Sequence, residues 1–258
     1  MDTSSLRIFS QFRLYRAIYP QGDLGDITET ISPIWPIEWD ELPVLSRIDI
    51  PLKRLPGVTP LRYQSAISLM LSARLGQPLE TIVKIICEGA GCGVPRLSVG
   101  NVGWIILTWE TRSLYETLDR IFAEDLSMSL NPLIPFCLWQ THARCRSIRS
   151  QHQLLDLKSK VDLKSRDLDL DQPMPESAQA LLEALIHLLD LLDDPLRPLM
   201  GITLQREIHQ ICQCFDQVHG QMPIFNPHLS ESDCHLFYRL LGWLQALLAR
   251  CSHIEMHS

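Results

Sequence analysis

The chain has no apolar run approaching the roughly 20 residues that a helix needs to cross a bilayer, so no membrane-spanning segment is expected. It has no charged-then-apolar leader ahead of a small-residue cleavage site either: Met1 to Tyr19 is amphipathic, with Leu6, Phe9, Arg13 and Arg16 in mixed order. The eight cysteines include no C-x-x-C knuckle and no zinc-finger period. Neither a disulfide framework nor a zinc ribbon fits them, and reduced, mostly buried thiols in a cytoplasmic protein are expected. Histidine is missing from the first 140 residues, all nine lying beyond, which could mark a pH-responsive surface or simple scatter. Cationic excess is also missing. With 23 Lys and Arg against 30 Asp and Glu, the net charge of −7 repels a polyanion as a whole, so any nucleic-acid contact must be local.

What is there suits two ordinary domains: 258 residues, 46% apolar and 21% charged, enough to build a hydrophobic core. Two stretches are locally cationic. From His142 to Arg166, seven Lys or Arg residues stand against Asp156 and Asp162, and the stretch with Arg7, Arg13 and Arg16 has no acid between Arg7 and Asp23.

The spacing of apolar and turn-forming residues predicts a helix over Leu6 to Tyr19, ended by Pro20 to Asp23, then an irregular connection over 20–43. Arg47 to Leu52 alternates as a strand, and Pro60 to Leu75 reads as a helix stopped by Gly76. Pro78 opens the next helix, which runs to the Gly89–Gly93 turn; Leu97 to Thr108 suits a strand or strand pair, and Thr111 to Phe122 a helix. This half is expected to be α+β with a small antiparallel sheet. Beyond Asn131, Pro132 and Pro135 the pattern turns all-helical: Phe136 to Leu154, Ala178 to Leu192, Thr203 to His219, and Ser230 to Cys251 with Ser230 as N-cap and Asp233 in an approximate capping box. Asp156 to Pro175 reads as a charged loop. The second half is expected to be an all-α helix bundle.

Residues 48–88, from IDIPLKRLPGV to LETIVKIICE, resemble the N-terminal additional domain of arginyl-tRNA synthetases, with Tyr63, Leu75, Gly76, Pro78, Ile82 and Ile86 in its characteristic places. The stretch VPRLSVGNVGWIILTWE is similar to that domain's closing strands. FCLWQTHARCRSI, residues 136–148, resembles the opening helix of the family's DALR-type anticodon-binding domain, with His142, Ala143, Arg144, Ser147 and Ile148 in register. The segments around EIHQICQCFDQ and FYRLLGWLQALLARC resemble its later helices. The resemblance implies an additional-domain-like region over 1–125 joined directly to an anticodon-binding-type domain over 131–258. The catalytic core of the family, with its His-x-Gly-His and Lys-Met-Ser-Lys motifs, has no counterpart here. That implies no aminoacylation, no ATP site, no cofactor and no metal.

Under this resemblance the expected partner is tRNA, arginine isoacceptors in particular, with a protein partner as the alternative. The residues expected to face RNA are His142, Arg144, Arg146 and Arg149, with Arg7, Arg13, Arg16 and Tyr63. His142, Arg146 and Arg149 can form one helical ridge, whereas Arg144 points elsewhere. The competing reading has His142 and Arg144 bracing the bundle internally. The Lys158 to Arg166 loop could touch phosphates or be merely solvated. Trp139 and Tyr238 could stack on unpaired bases or belong to the core. Cys212 and Cys214 could hold a metal with His209 or His219, although no second pair follows. Where the family has Gly-Asp, Asn and Tyr, this chain has Leu61-Arg62, Ala66 and Gln140; these changes, with the acidic net charge, favour an interaction or assembly scaffold. A catalytic subunit completed in trans is a third option.

Overall fold

A computed structural model describes residues 6–18, 50–91, 93–123, 136–159, 174–192, 201–221 and 231–252. The chain forms two compact units, Met1–Leu114 and Tyr115–Ser258. The first is α+β with a four-stranded antiparallel sheet and the second is helical, as the composition and periodicity lead one to expect. The connections at 20–43 and 125–135, the N-cap Ser230, and most of the Asp156–Pro175 segment lie outside the described residues.

In the first unit, helix α1 (Leu6–Ile18) is followed by strands β1 (Lys53–Val58) and β2 (Leu61–Ser65), helices α2 (Ile67–Leu75) and α3 (Leu79–Ala90), then strands β3 (Arg96–Val99) and β4 (Ile105–Trp109). The strands lie in the order β1-β2-β4-β3, every pair antiparallel. Two expectations need correction. Residues 61–65, assigned to the helix ending at Leu75, form β2 instead, because Leu61, Tyr63 and Ser65 alternate inward while helical spacing starts only at Ile67. Arg47 to Leu52 does not extend as a strand through its described end: Ile50 sits in a bend and pairing starts at Lys53. The Ile50 and Pro51 carbonyls accept instead from Gln11 Nε2 at 3.0 Å and Ser65 Oγ at 2.7 Å, and Pro51 has no N–H to offer a ladder. The Leu97–Thr108 region does form a strand pair, bridged by a short 3₁₀ turn at Asn101–Gly103. Gly76 stops α2 in the left-handed conformation, φ 63°, and Pro78 precedes α3.

One face of this sheet is the core. Leu61, Tyr63, Ile105, Leu107 and Trp109 are buried on it, and cross-strand register places Leu61 opposite Trp109 and Tyr63 opposite Leu107. Helix α1 closes over it, with Trp109 donating to Ser10 Oγ at 3.0 Å and Phe9 meeting the Trp109 ring edge-on. Helices α1 and α3 pack together so closely that a Cβ at Gly89 would overlap the Ala17 carbonyl oxygen.

In the second unit the residues of α4 (Thr111–Ala123) from Tyr115 onward pack on α8 (Glu231–Ser252), and α5 (Phe136–Ser159), α6 (Glu176–Leu192) and α7 (Gly201–Gln221) complete the bundle. Helix α5 continues five residues past the expected end at Leu154, into the segment read as a charged loop. Helices α5 and α6 each pack against both α7 and α8, closing a four-helix ring. Tyr115 lies against Trp243, whose indole N–H donates to Asp119 at 2.8 Å, while Arg239 pairs with the same carboxylate at 3.0 Å. The seven described cysteines are free thiols, with Cys145, Cys212 and Cys251 buried and the other four half-buried. Burial pushes Cys212 up to about 11 and Cys251 up to about 12, so both are protonated and unreactive at neutral pH.

Gly-to-Ala substitution inside a helix ordinarily stabilises by roughly 0.5–1 kcal/mol. Gly89→Ala is expected to reverse that sign and cost about 1–3 kcal/mol through the forced separation of α1 and α3. Gly220→Ala, where a Cβ meets nothing within 4 Å, should instead raise stability. Denaturant melts of the two variants check the pair.

Candidate nucleic-acid interface

Helix α5 carries four of the residues expected to face RNA, and the helical period divides them. Leu138, Thr141, His142 and Cys145 are buried, and Arg149 follows on the same stripe, half-buried. The opposite stripe is exposed: Phe136, Trp139, Gln140, Arg146, Ser147 and Ser150. The ridge of His142, Arg146 and Arg149 therefore does not form one surface, and only Arg146 is fully outside.

Two of these arginines tie α5 to its neighbours. Arg149 donates to Gln245 Oε1 at 2.9 Å and lies over the Tyr238 ring, 5.1 Å from its centroid, which fixes α5 to α8. Arg144 fixes α5 to α7: it pairs with Asp216 at 2.6 Å, lies over Phe215 at 5.1 Å, and stands 3.4 Å from His219 Nδ1. His142 is 7% exposed, and its Nε2 is buried with no hydrogen-bond partner among the described residues. Burial, and then the Arg146 charge, hold its pKa below the ordinary 6.5; burial and Arg144 do the same to His219, against an opposing pull from Asp216. The internal-brace reading of His142 and Arg144 describes both, and Arg149 joins them. Tyr238 is half-buried under Arg149, whereas Trp139 is exposed.

Phe136 carried no signal in the sequence beyond its aromaticity, yet it is the most exposed large hydrophobic side chain among the described residues of this unit, at 72%. Its ring stacks on that of Trp139, 52% exposed, at a centroid distance of 6.1 Å and an interplanar angle of 26°. Trp139 and Arg146 are seven residues apart, about two helical turns or roughly 10 Å along one side of the helix. An aromatic shelf with a cation beyond it can hold an unpaired base and its neighbouring phosphate.

No family model, curated protein or solved structure matches this chain. Its functional reading therefore rests on its own side chains.

In the first unit, the α1 arginines differ in use. Arg13 donates to the Ala90 and Gly91 carbonyls, capping the C-terminus of α3, where a cation also complements the helix dipole. Arg16 is exposed and lies over Phe12 at 5.5 Å. Arg7 is half-buried. Tyr63, expected to face RNA, is 1% exposed in the sheet core, because its place on β2 opposite Leu107 points its ring inward. Among the described residues no three His, Cys, Asp or Glu side chains gather as they would around a metal ion; Gln213 is the 3.0 Å neighbour of His209. Of the Lys158 to Arg166 loop, all residues beyond Ser159 lie outside the described ones.

Because the pKa values of His142 and His219 are lowered in the fold, the unfolded chain binds more protons than the native one as pH falls through about 6.5. Stability should be fully present above that pH and decline on acidification through it. The double variant His142→Gln, His219→Gln is expected to flatten the dependence of the melting temperature on pH between about 7 and 5, where a histidine at its ordinary pKa titrates.

Proposed function

We propose that this protein is a cytoplasmic, non-catalytic tRNA-binding protein related to arginyl-tRNA synthetases, which holds arginine tRNA or modulates its use. The observation that carries the reading is the exposed, stacked Phe136–Trp139 pair in line with Arg146, on the helix whose 136–148 segment resembles the opening helix of the anticodon-binding domain. Where the family has a tyrosine this chain has Gln140; the aromatic shelf stands immediately before it. Without the family's phosphate-binding motifs the chain binds RNA rather than charging it. Each stacked base is worth about 1–3 kcal/mol.

A second reading, an assembly scaffold that has given up RNA, draws on the commitment of Arg13, Arg144 and Arg149 to internal contacts. On that reading the Phe136–Trp139 shelf receives a protein side chain.

A fluorescence titration of arginine tRNA at two salt concentrations separates the readings. Saturable binding that weakens with salt is expected, with Trp139→Ala reducing affinity roughly tenfold to a hundredfold, the equivalent of losing one stacked base. Absence of saturation at low salt removes the RNA reading. Recovery of a fixed protein partner without RNA on affinity purification from the native host supports the scaffold.

A further inference from the structure

Two thiols of the helical unit touch across a helix pair. Cys212 on α7 is 5% exposed, and its Sγ donates to the Cys137 carbonyl of α5 at 3.7 Å, a contact between residues 75 positions apart. The two thiols are also hydrogen-bonded to each other, and the Thr141 hydroxyl, about one helical turn beyond Cys137, bonds to the same Cys212 sulfur. Cys212 therefore projects onto the start of α5, with Cys137 and Thr141 on either side of it. Cys145 and Cys251 lie close enough to Cys212 to feel its charge, but both are fully buried.

The pair is unequal in access. Cys137 is half-buried at the second position of α5, directly after the exposed Phe136 and two residues before the exposed Trp139, so a dissolved oxidant reaches it ahead of Cys212. Burial, opposed by the Thr141 hydroxyl and seconded by the Cys137 thiol, pushes Cys212 up to about 11. A protonated, enclosed thiol is slow toward reagents in solution. It can still react with a sulfur held against it, because the encounter is already made. An accessible thiol beside an enclosed resolving thiol is the arrangement from which oxidation runs on to a disulfide instead of stopping at a sulfur oxyacid.

We propose that Cys137 and Cys212 form an oxidative modification site, which hydrogen peroxide closes into a disulfide between α5 and α7. In the first step the Cys137 sulfur attacks one peroxide oxygen and the O–O bond breaks. Cys137 is oxidised by two electrons to the sulfenic acid, and the departing hydroxide leaves as water with the thiol proton. In the second step the Cys212 sulfur attacks the Cys137 sulfur, the S–O bond breaks, and the hydroxide takes up the Cys212 proton. The sum is two thiols and one peroxide giving one disulfide and two waters. Bringing the sulfurs to the bonded distance of about 2.05 Å requires movement, and Cys137 lies in the first turn of α5, whose N–H groups have no intrahelical partners to lose. The bond ties down the turn that carries Phe136 and Trp139. It stands independently of the RNA reading, and a thiol-based reductant reverses it by exchange.

The test treats the reduced full-length protein with stoichiometric hydrogen peroxide, blocks the remaining thiols with an alkylating reagent, and maps the peptides by mass spectrometry without reduction. A linked pair of peptides joined through Cys137 and Cys212 is expected, lost on treatment with dithiothreitol. The oxidised protein should melt roughly 5–10 °C above the reduced one, as a cross-link between distant positions predicts. In Cys212→Ser the sulfenic acid has no resolving thiol, so dimedone should label Cys137; in Cys137→Ser, Cys212 should keep its thiol and be alkylated only after unfolding. The wild-type map decides the matter even if a variant fails to fold. Cys137 left as a free thiol, carried to the sulfinic acid, or linked to a cysteine other than Cys212 or to a second chain overturns the proposal.

Discussion

The C-terminal unit depends on the all-round burial of α8. From Leu240 to Ala249 every residue is buried, polar Gln245 and Gly242 included, which an amphipathic surface helix cannot be. Each flank has its own partner: Trp243, Arg239 and Arg250 meet α4, Tyr238 and Gln245 meet Arg149 of α5, and α6 packs along another side. A helix so placed removes a large apolar surface from water, at roughly 25 cal/mol for each Å². It also obliges its neighbours to bring polar groups that satisfy the ones it buries.

That obligation explains where the cations of α5 went. Gln245 is 8% exposed and needs a partner, which Arg149 supplies while its guanidinium plane covers the Tyr238 ring. Arg144 ties α5 to α7 through Asp216 at the partly exposed surface of the bundle. An arginine held by an aromatic ring on one face and by a hydrogen bond is a structural brace, and a polyanion competing for it would have to break those contacts. The outward stripe has no such duty. It is there that the aromatic pair and Arg146 remain exposed, and the same division of labour recurs in the first unit, where Arg13 caps α3 while Arg62 and Lys53 form no ion pair with any described residue.

A net charge of −7 makes the segregation of cations the decisive electrostatic feature. Long-range attraction for RNA is unavailable to the chain as a whole, so under the proposed RNA-binding reading affinity has to come from short-range contacts within about a Debye length of a strand, near 8 Å at physiological salt. Stacking suits that constraint because it does not depend on net charge.

The amino-acid sequence by itself determined the two-part organisation, most of the helices and the closing strand pair, because hydrophobic period, proline and glycine act locally and leave a readable pattern. Gly76 stopping α2 and Pro78 ahead of α3 are of this kind. It misplaced β2, since the helical spacing of Ile67 to Leu75 masked the alternation of Leu61, Tyr63 and Ser65, and strand pairing with β4 joins residues far apart in sequence, such as Leu61 and Trp109. Which arginines of α5 face outward was also beyond it: the 3.6-residue period groups side chains into stripes, but only the positions of α7 and α8 decide which stripe is buried. The Cys137 and Cys212 pair became visible only with the packing of α5 on α7, because the two residues are 75 positions apart and meet through tertiary contact alone.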